Sequence, residues 1–229
     1  MNGDHTACGP PEYCLRCESS RGSCIEPIAR ALDCGENILR YVEGTKEWGL
    51  VYRRNTTAPP VQVYTDADWA NNEHDRKSIS GVLVQVFGCS VSWQTKRQRI
   101  VSKSSTIAEY IAADDGVEEA HWVHLLLRRL TNEEHQVPIP AMIDNKSTIK
   151  RLLDGRNSDA QKTVDCRFFA VRDAVTTGIL RLQYCPTTVM LADCLTKALG
   201  VTRLHELRKA LGVMKLPLSD AGEVLWNSS

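Results

Sequence analysis

The sequence lacks an excess of charge of either sign, a long apolar run and a secretory start. Its 28 basic and 28 acidic residues cancel, so bulk charge does not announce a nucleic-acid partner, which would need a local basic patch. No run of about 18 apolar residues predicts a transmembrane helix. The first residues lack the basic start and apolar stretch of a signal peptide. We therefore expect no membrane partner.

Paired cysteines are also not indicated, because the count of nine is odd and suits a reducing compartment, the cytosol or the nucleus. Five of the nine lie near the N-terminus: Cys8, Cys14, Cys17, Cys24 and Cys34. Cys14 and Cys17 have the spacing of half a zinc site. The second close-spaced ligand pair of a zinc finger is missing, so we favour a disordered leader over residues 1–27 and keep zinc binding as the alternative.

Hydrophobic periodicity predicts an α/β domain with a mixed five-stranded sheet flanked by helices. Strands are predicted at 61–65, 79–86, 91–93, 137–143 and 179–184, and helices at 26–41, 104–112, 117–130, 147–153, 163–176, 189–199 and 202–211. The first three strands follow one another without a helix, which predicts an antiparallel meander, and helical crossovers then predict parallel strands. Pro138 and Pro140 predict an edge position for the fourth strand. Four apolar residues define the predicted buried face of the helix at 117–130, namely Trp122, Leu125, Leu126 and Leu130.

Four acidic residues stand at ends of predicted elements with small or apolar neighbours: Asp66, Glu109, Asp144 and Asp193. Asp66 and Asp144 end strands that would lie side by side if the crossover between them is parallel. Several carboxylates brought together without basic partners repel one another unless they bind a cation. Oxygen ligands with open positions suit Mg²⁺ or Mn²⁺, and two such ions can clamp a reacting phosphodiester. The pattern therefore indicates metal-dependent phosphoryl transfer on a nucleic acid.

Each acid also has a structural alternative. Asp66 could cap a turn, and Glu109 completes a capping-box sequence that starts at Thr106. Asp144 could be the N-cap of the next helix, and Asp193 could favour a helix N-terminus electrostatically. Taken one at a time, these roles are the simpler interpretation, and only the combination favours a metal site.

The densest basic stretch, residues 94–103, contains no acidic residue. Its four basic side chains are Lys96, Arg97, Arg99 and Lys103. They form either a solvated loop or an edge that contacts phosphates. The stretch alone favours the solvated loop.

Six motifs in register resemble the ribonuclease H domain of copia-type retrotransposon polyproteins. They are YTDADWA (64–70), RKSISG (76–81), VSWQTK (91–96), SSTIAEY (104–110), DNKS (144–147) and ADCLTK (192–197). Upstream, ILRYVEGT (38–45) is similar to the segment that joins reverse transcriptase to ribonuclease H in that family. The resemblance covers about residues 30–212.

The resemblance implies a ribonuclease H fold that hydrolyses the RNA strand of an RNA–DNA hybrid with two Mg²⁺ or Mn²⁺ ions. It places Asp66, Glu109, Asp144 and Asp193 on the four metal-binding carboxylates, with Asp66 bridging both ions. It makes seven residues candidate contacts to the hybrid: Lys96, Arg97, Arg99, Lys103, Ser105, Asn145 and Ser147. The implied partners are the hybrid and the reverse transcriptase domain of a parent polyprotein.

The same resemblance divides the chain into four segments. These are the leader 1–27, a reverse transcriptase–ribonuclease H connecting segment 28–60, the ribonuclease H-like domain 61–212 and a C-terminal tail 213–229. It implies a location in the cytoplasm, within a virus-like particle of the element, or in the nucleus.

Two departures from the family pattern bear on activity. The stretch 158–169 contains no histidine, although the family usually has histidines there, and Ile107 stands where a glutamate is common. The missing histidine affects turnover more than metal binding. The alternative function is therefore a catalytically inactive hybrid-binding module from a degenerate copy of the element.

Overall fold

The computed structural model describes residues 25–53, 55, 57–70, 75–132, 137–154 and 162–217. In chain order the elements are α1 (Ile25–Gly44), β1 (Trp48–Leu50), β2 (Val61–Asp68), β3 (Ile79–Val86), β4 (Cys89–Arg97), α2 (Ser105–Thr131), β5 (Ile139–Ile143), α3 (Lys146–Asp154), α4 (Lys162–Thr176), β6 (Leu180–Tyr184), α5 (Asp193–Thr196), α6 (Val201–Ala210) and β7 (Val213–Lys215). None of the helices within these ranges is both long and apolar enough to cross a bilayer. The predicted leader 1–27 falls almost wholly outside the described residues.

The larger of two compact units, Arg53–Lys197, is built on a five-stranded sheet with the order β4-β3-β2-β5-β6. The strands β2, β3 and β4 pair antiparallel, whereas β2, β5 and β6 pair parallel. Helix α2 covers one face, where Val63, Val84 and Ala113 belong to one buried apolar cluster. An antiparallel meander followed by parallel strands is the predicted arrangement, so the ribonuclease H-like α/β fold class is confirmed.

Strand β5 lies between β2 and β6, so the edge position predicted from its prolines is wrong. Proline lacks the N–H that a strand flanked on both sides should donate. The Ile139 nitrogen donates to the Ile179 carbonyl on the β6 side at 2.9 Å, so the nitrogen of Pro140 faces the β2 side. Pairing with β2 begins only at Ala141, opposite Val63. The N–H group that Pro140 lacks would therefore lie just before the first residue pair between β5 and β2.

Helix α2 is a single helix of 27 residues where the sequence predicts two, and the predicted buried face is wrong. Trp122, Leu125, Leu126 and Leu130 are all exposed. The buried stripe passes instead through Gly116, Ala120 and Val123. A Cβ on Gly116 would lie 2.4 Å from Thr65 Cγ2, so the helix approaches the sheet through its small residues. Both stripes have helical spacing, and close packing selects the one with small side chains.

The segment after β6 does not form the helix predicted at 189–199. It forms a 3₁₀ turn, Thr187–Val189, and the one-turn helix α5. Residues 190–196 are all buried, which a surface helix with one exposed face cannot achieve. A Cβ on Gly81 would lie 2.7 Å from Thr196 Cγ2, so glycine lets α5 lie directly on β3.

The smaller compact unit comprises Met1–Tyr52 and Ala198–Ser229. Its described part contains α1, α6 and a two-stranded sheet in which β1 pairs antiparallel with β7. The guanidinium of Arg208 lies 3.8 Å from the centre of the Trp48 ring. The strand β7 was not predicted, because three residues are too short for a periodic pattern. The four predicted segment boundaries stay predictions.

Candidate metal centre

Two aspartates lie at the carboxyl ends of neighbouring parallel strands. Asp66 belongs to β2, and Asp144 follows directly after β5. The register pairs Thr65 with Ile143, so each aspartate is one residue further along its strand. A parallel crossover brings strand ends to the same edge of a sheet, which places the two carboxylates side by side.

A third aspartate reaches the same place from α5. Asp193 is the first residue of that helix, which lies on Gly81, the sheet partner of Asp66. One carboxylate oxygen from each of Asp66, Asp144 and Asp193 lies within 4.8 Å of the other two. Asp66 and Asp193 are buried and Asp144 is half-buried. The structure thus brings three of the four predicted ligands together.

Glu109 faces this cluster from α2. Its Oε1 accepts a hydrogen bond from the Ala67 nitrogen at 3.4 Å, and its Oε2 is buried with no hydrogen-bond partner among the described residues. Burial, followed by the charges of Asp66 and Asp144, raises the pKa of Glu109 well above its ordinary value. Burial and the charge of Asp66 also raise the pKa of Asp144. Negative charge at this site is therefore under-compensated by the protein.

Lys197 lies within the cluster, a position that was not predicted from the sequence. Its Nζ is 3.0 Å from Asp66 Oδ1 and 2.6 Å from Asp193 Oδ1. Burial alone would lower the pKa of Lys197, but the two carboxylates outweigh burial and raise the pKa above its ordinary value. The expectation of carboxylates without basic partners is therefore wrong. The spacing of four residues between Asp193 and Lys197 was the available signal.

Two threonine hydroxyls hold the aspartates in place. Thr196 Oγ1 donates to Asp66 Oδ2 in a short hydrogen bond, and Thr187 Oγ1 donates to Asp144 Oδ2 at 3.2 Å. Both threonines come from the segment that ends in Lys197. That segment, residues 187–197, supplies a candidate ligand, two hydroxyls and a cation to the site, and its role beyond Asp193 was not predicted.

The capping roles considered for Asp144 and Glu109 are filled by other residues. The Thr148 nitrogen donates to Asn145 Oδ1 at 3.1 Å, so Asn145 caps α3 and Asp144 does not. The N-cap of α2 is Ser104, which accepts from the Ile107 nitrogen, so no capping box starts at Thr106. Neither carboxylate is needed to cap a helix.

The basic stretch has acidic partners from elsewhere in the larger unit. Lys96 Nζ lies 3.1 Å from Asp115 Oδ1, and Arg97 forms a short ion pair with Asp75. Arg99 and Lys103 are exposed. Among the predicted hydrogen-bonding contacts, Ser105 and Ser147 are exposed at the first turns of α2 and α3, while Asn145 is half-buried. The contacts to a hybrid stay predictions.

The donor set fits a hard divalent cation. Three aspartate oxygens converge, and a buried glutamate oxygen nearby has no partner among the residues described. Mg²⁺ and Mn²⁺ prefer oxygen ligands of this kind, and a buried carboxylate oxygen without a donor is costly unless it binds a cation or a proton.

Comparison with known proteins agrees with the sequence motifs, although no protein-family model matches the chain. The chain is 30% identical over 82% of its length to the retrovirus-related Pol polyprotein from transposon RE2 of Arabidopsis thaliana. It is 32% identical over 77% of its length to the corresponding polyprotein from transposon TNT 1-94 of Nicotiana tabacum. In both comparisons the chain spans only 13% of the relative.

The chain is similar in structure to the solved RNase H1 from the halophilic archaeon Halobacterium salinarum NRC-1. The similar region covers 59% of this chain and 93% of the RNase H1 chain. The sequence identity is 17% and the TM-score is 0.43. At these values the fold assignment depends on the strand order and not on this likeness. The resemblance found in the sequence motifs is confirmed: the chain is homologous to a segment of the retrovirus-related Pol polyproteins of copia-type transposons.

Proposed function

We propose that the protein is a metal-dependent endonuclease that hydrolyses the RNA strand of an RNA–DNA hybrid. The observation that carries the proposal is the convergence of Asp66, Asp144 and Asp193 from three separate elements. A buried Glu109 oxygen that has no hydrogen-bond partner in the described part of the chain adds to it. The homology to Pol polyproteins supports a nucleic-acid substrate. We extend the proposal to the partner, the reverse transcriptase domain of a parent polyprotein.

The four acids would hold the divalent ions, and the proposed reaction uses two ions. Asp66 and Asp144 sit on a rigid sheet, so their carboxylates are fixed before substrate arrives. Divalent ions bound there would supply Lewis-acid stabilisation of the charge that develops on the scissile phosphate. The threonines Thr187 and Thr196 orient two of these carboxylates through their hydroxyls.

The basic stretch would contact the backbone of the hybrid. Arg99 and Lys103 are exposed, and Lys96 and Arg97 would exchange their carboxylate partners for phosphates. Hybrid shape and 2′-hydroxyls are read mainly through the minor groove and the phosphates, which suits such a contact. Ser105, Asn145 and Ser147 lie at the starts of helices and would donate further hydrogen bonds.

The test is cleavage of an end-labelled RNA–DNA hybrid by the full chain with Mg²⁺ or Mn²⁺. Asp66→Asn and Asp144→Asn should each lower the rate at least about hundredfold, equivalent to about 2.7 kcal/mol of transition-state stabilisation. Asp154→Asn, at an exposed position in α3, is the matched control and should keep the wild-type rate. Metal-independent cleavage, or equal rates in all four proteins, contradicts the proposal.

The second candidate function is hybrid binding without cleavage. The ion pairs of Lys197 with Asp66 and Asp193 favour it, because they compensate part of the charge of the cluster without a metal. This function predicts salt-sensitive binding that is lost when Lys96 and Arg99 are both changed to Glu, with no cleavage by the wild type. Unchanged affinity in the double variant excludes binding through this stretch.

A further inference from the structure

Lys197 places an ammonium group where the proposed metal ions would bind. Its Nζ contacts Asp66 Oδ1 at 3.0 Å and Asp193 Oδ1 at 2.6 Å, so it bridges two of the three converging acids. We propose that Lys197 competes with the divalent ion for these carboxylates. The ammonium group must leave the two oxygens before they bind metal. The inference rests on the proposed function, because it concerns the same carboxylates.

The two cations need the same oxygen atoms. The ammonium group donates to these oxygens at hydrogen-bond distances, whereas Mg²⁺ binds carboxylate oxygens at the shorter distance of about 2.1 Å. Thr196 donates to Asp66 Oδ2 and Lys197 donates to Asp66 Oδ1, so Oδ1 is the oxygen at which the ammonium group and a divalent ion would compete. Two positive charges a few ångströms apart repel strongly in a partly buried site. The ammonium and the divalent ion therefore exclude each other there.

The lysine is the most exposed member of the pairs that it forms with Asp66 and Asp193. Asp66 belongs to a central strand and Asp193 to a buried turn, whereas 34% of the Lys197 side chain is exposed. A four-carbon stem lets the ammonium group swing into solvent without a change in the backbone. The arrangement thus allows a metal ion to replace the lysine at Asp66 Oδ1 and Asp193 Oδ1.

The exchange sets the metal concentration at which the site fills. Without metal, Lys197 neutralises part of the charge of the acids and keeps them together. With metal, the free energy of breaking both ion pairs is subtracted from the binding free energy. Removing the competitor should therefore tighten metal binding, which is the opposite of what the loss of a supporting residue would do.

The experiment is calorimetric titration of the chelator-treated full chain with Mn²⁺ and with Mg²⁺. Lys197→Met should bind either ion at least about tenfold more tightly than the wild type, since a unit charge next to the ion is removed. Lys197→Arg, which keeps the charge, should stay closer to the wild type than to Lys197→Met. Lys150→Met, at an exposed position in α3, is the control and should match the wild type.

A second measurement needs no variant at position 197. Acetic anhydride labelling of the wild type, read at Lys197 by mass spectrometry, should be slow in chelator and faster with saturating Mn²⁺. Lysines outside the site, such as Lys150, give the reference rate. Equal labelling of Lys197 in both conditions overturns the inference even if Lys197→Met does not fold.

The outcomes separate the two proposals. If the wild type binds metal, Asp66→Asn does not, and Lys197→Met binds no more tightly than the wild type, the competition is refuted and the proposed function stands. Weaker binding by Lys197→Met refutes it as well. If neither the wild type nor Lys197→Met binds metal in a way that depends on Asp66, both proposals fall.

Discussion

The acidic residues around Asp66 and the basic stretch 94–103 look alike in the sequence, as groups of like charge without counter-ions. In the fold Lys197 pairs with Asp66, and Asp115 and Asp75 pair with Lys96 and Arg97. The difference is burial: 1% of the Asp66 side chain is exposed, against 52% of Arg97. The Asp66 carboxylate is therefore more costly to leave uncompensated than the Arg97 guanidinium.

Burial decides what each partner contributes. Water screens the pair of Arg97 and Asp75, and such exposed pairs are worth about 0–1 kcal/mol. Removing one partner of a buried pair leaves a desolvated charge and costs several kcal/mol. A phosphate can therefore displace Asp75 from Arg97 easily, whereas Lys197 can leave Asp66 only when another cation replaces it.

The largest expected effect on stability is that of Lys197→Met in chelator. The change leaves Asp66 and Asp193 buried without their cation, and we expect a loss of about 2–4 kcal/mol in the free energy of unfolding, toward the lower end because the lysine is one-third exposed. Urea unfolding measures it, and Lys150→Met is the control. A loss below about 1 kcal/mol would place the buried pair in the same class as the surface pairs.

The next effect is the pH dependence of the metal-free protein. Glu109 has a raised pKa in the fold, so it holds its proton more tightly than in the unfolded chain. That contribution to stability is complete below the ordinary value of 4.5 and is lost as pH rises through the folded pKa. We expect the free energy of unfolding to fall over this range in chelator.

Glu109→Gln should flatten this pH dependence, because glutamine has the same shape and does not titrate. Glu118→Gln, on the exposed side of α2, is the control and should keep the wild-type slope. Denaturant unfolding at a series of pH values is the measurement. If Glu109→Gln leaves the slope of unfolding free energy against pH unchanged, burial and the neighbouring aspartates do not raise the pKa of this carboxyl.

The smallest effect is expected from Arg97→Met. Stability should change by less than about 1 kcal/mol, because the ion pair with Asp75 is exposed. Hybrid affinity should fall, and the slope of log affinity against log salt should lose about one unit, as for one phosphate contact. Arg181→Met, exposed on β6, is the comparison. Equal slopes in both variants would remove Arg97 from the contact surface.

The sequence predicts most of the frame of this site. The division into an antiparallel meander and later parallel strands follows from where helices interrupt the strands, and a parallel crossover places Asp66 beside Asp144, but the inner position of β5 was not predicted. The sequence does not predict which face of α2 is buried. The face that contains Trp122 and the face that contains Gly116 both have helical spacing. Only packing against the sheet separates them.

The cation in the site was harder to predict than the acids. Lys197 is four residues from Asp193, which indicates a pair on one helix turn, but its contact with Asp66 is a tertiary one. That contact depends on Gly81, which lets α5 lie against β3. A pattern along the chain carries no information about such an approach between distant segments.

The most direct test of the central claim is an anomalous difference map from crystals of the full chain soaked in Mn²⁺. We predict metal density among the carboxylates of Asp66, Asp144 and Asp193, with Glu109 turned toward it and the Lys197 ammonium group displaced. Crystals without metal should show Lys197 between Asp66 and Asp193. No anomalous peak at saturating Mn²⁺, with Lys197 in place, would contradict the claim that this is a metal centre.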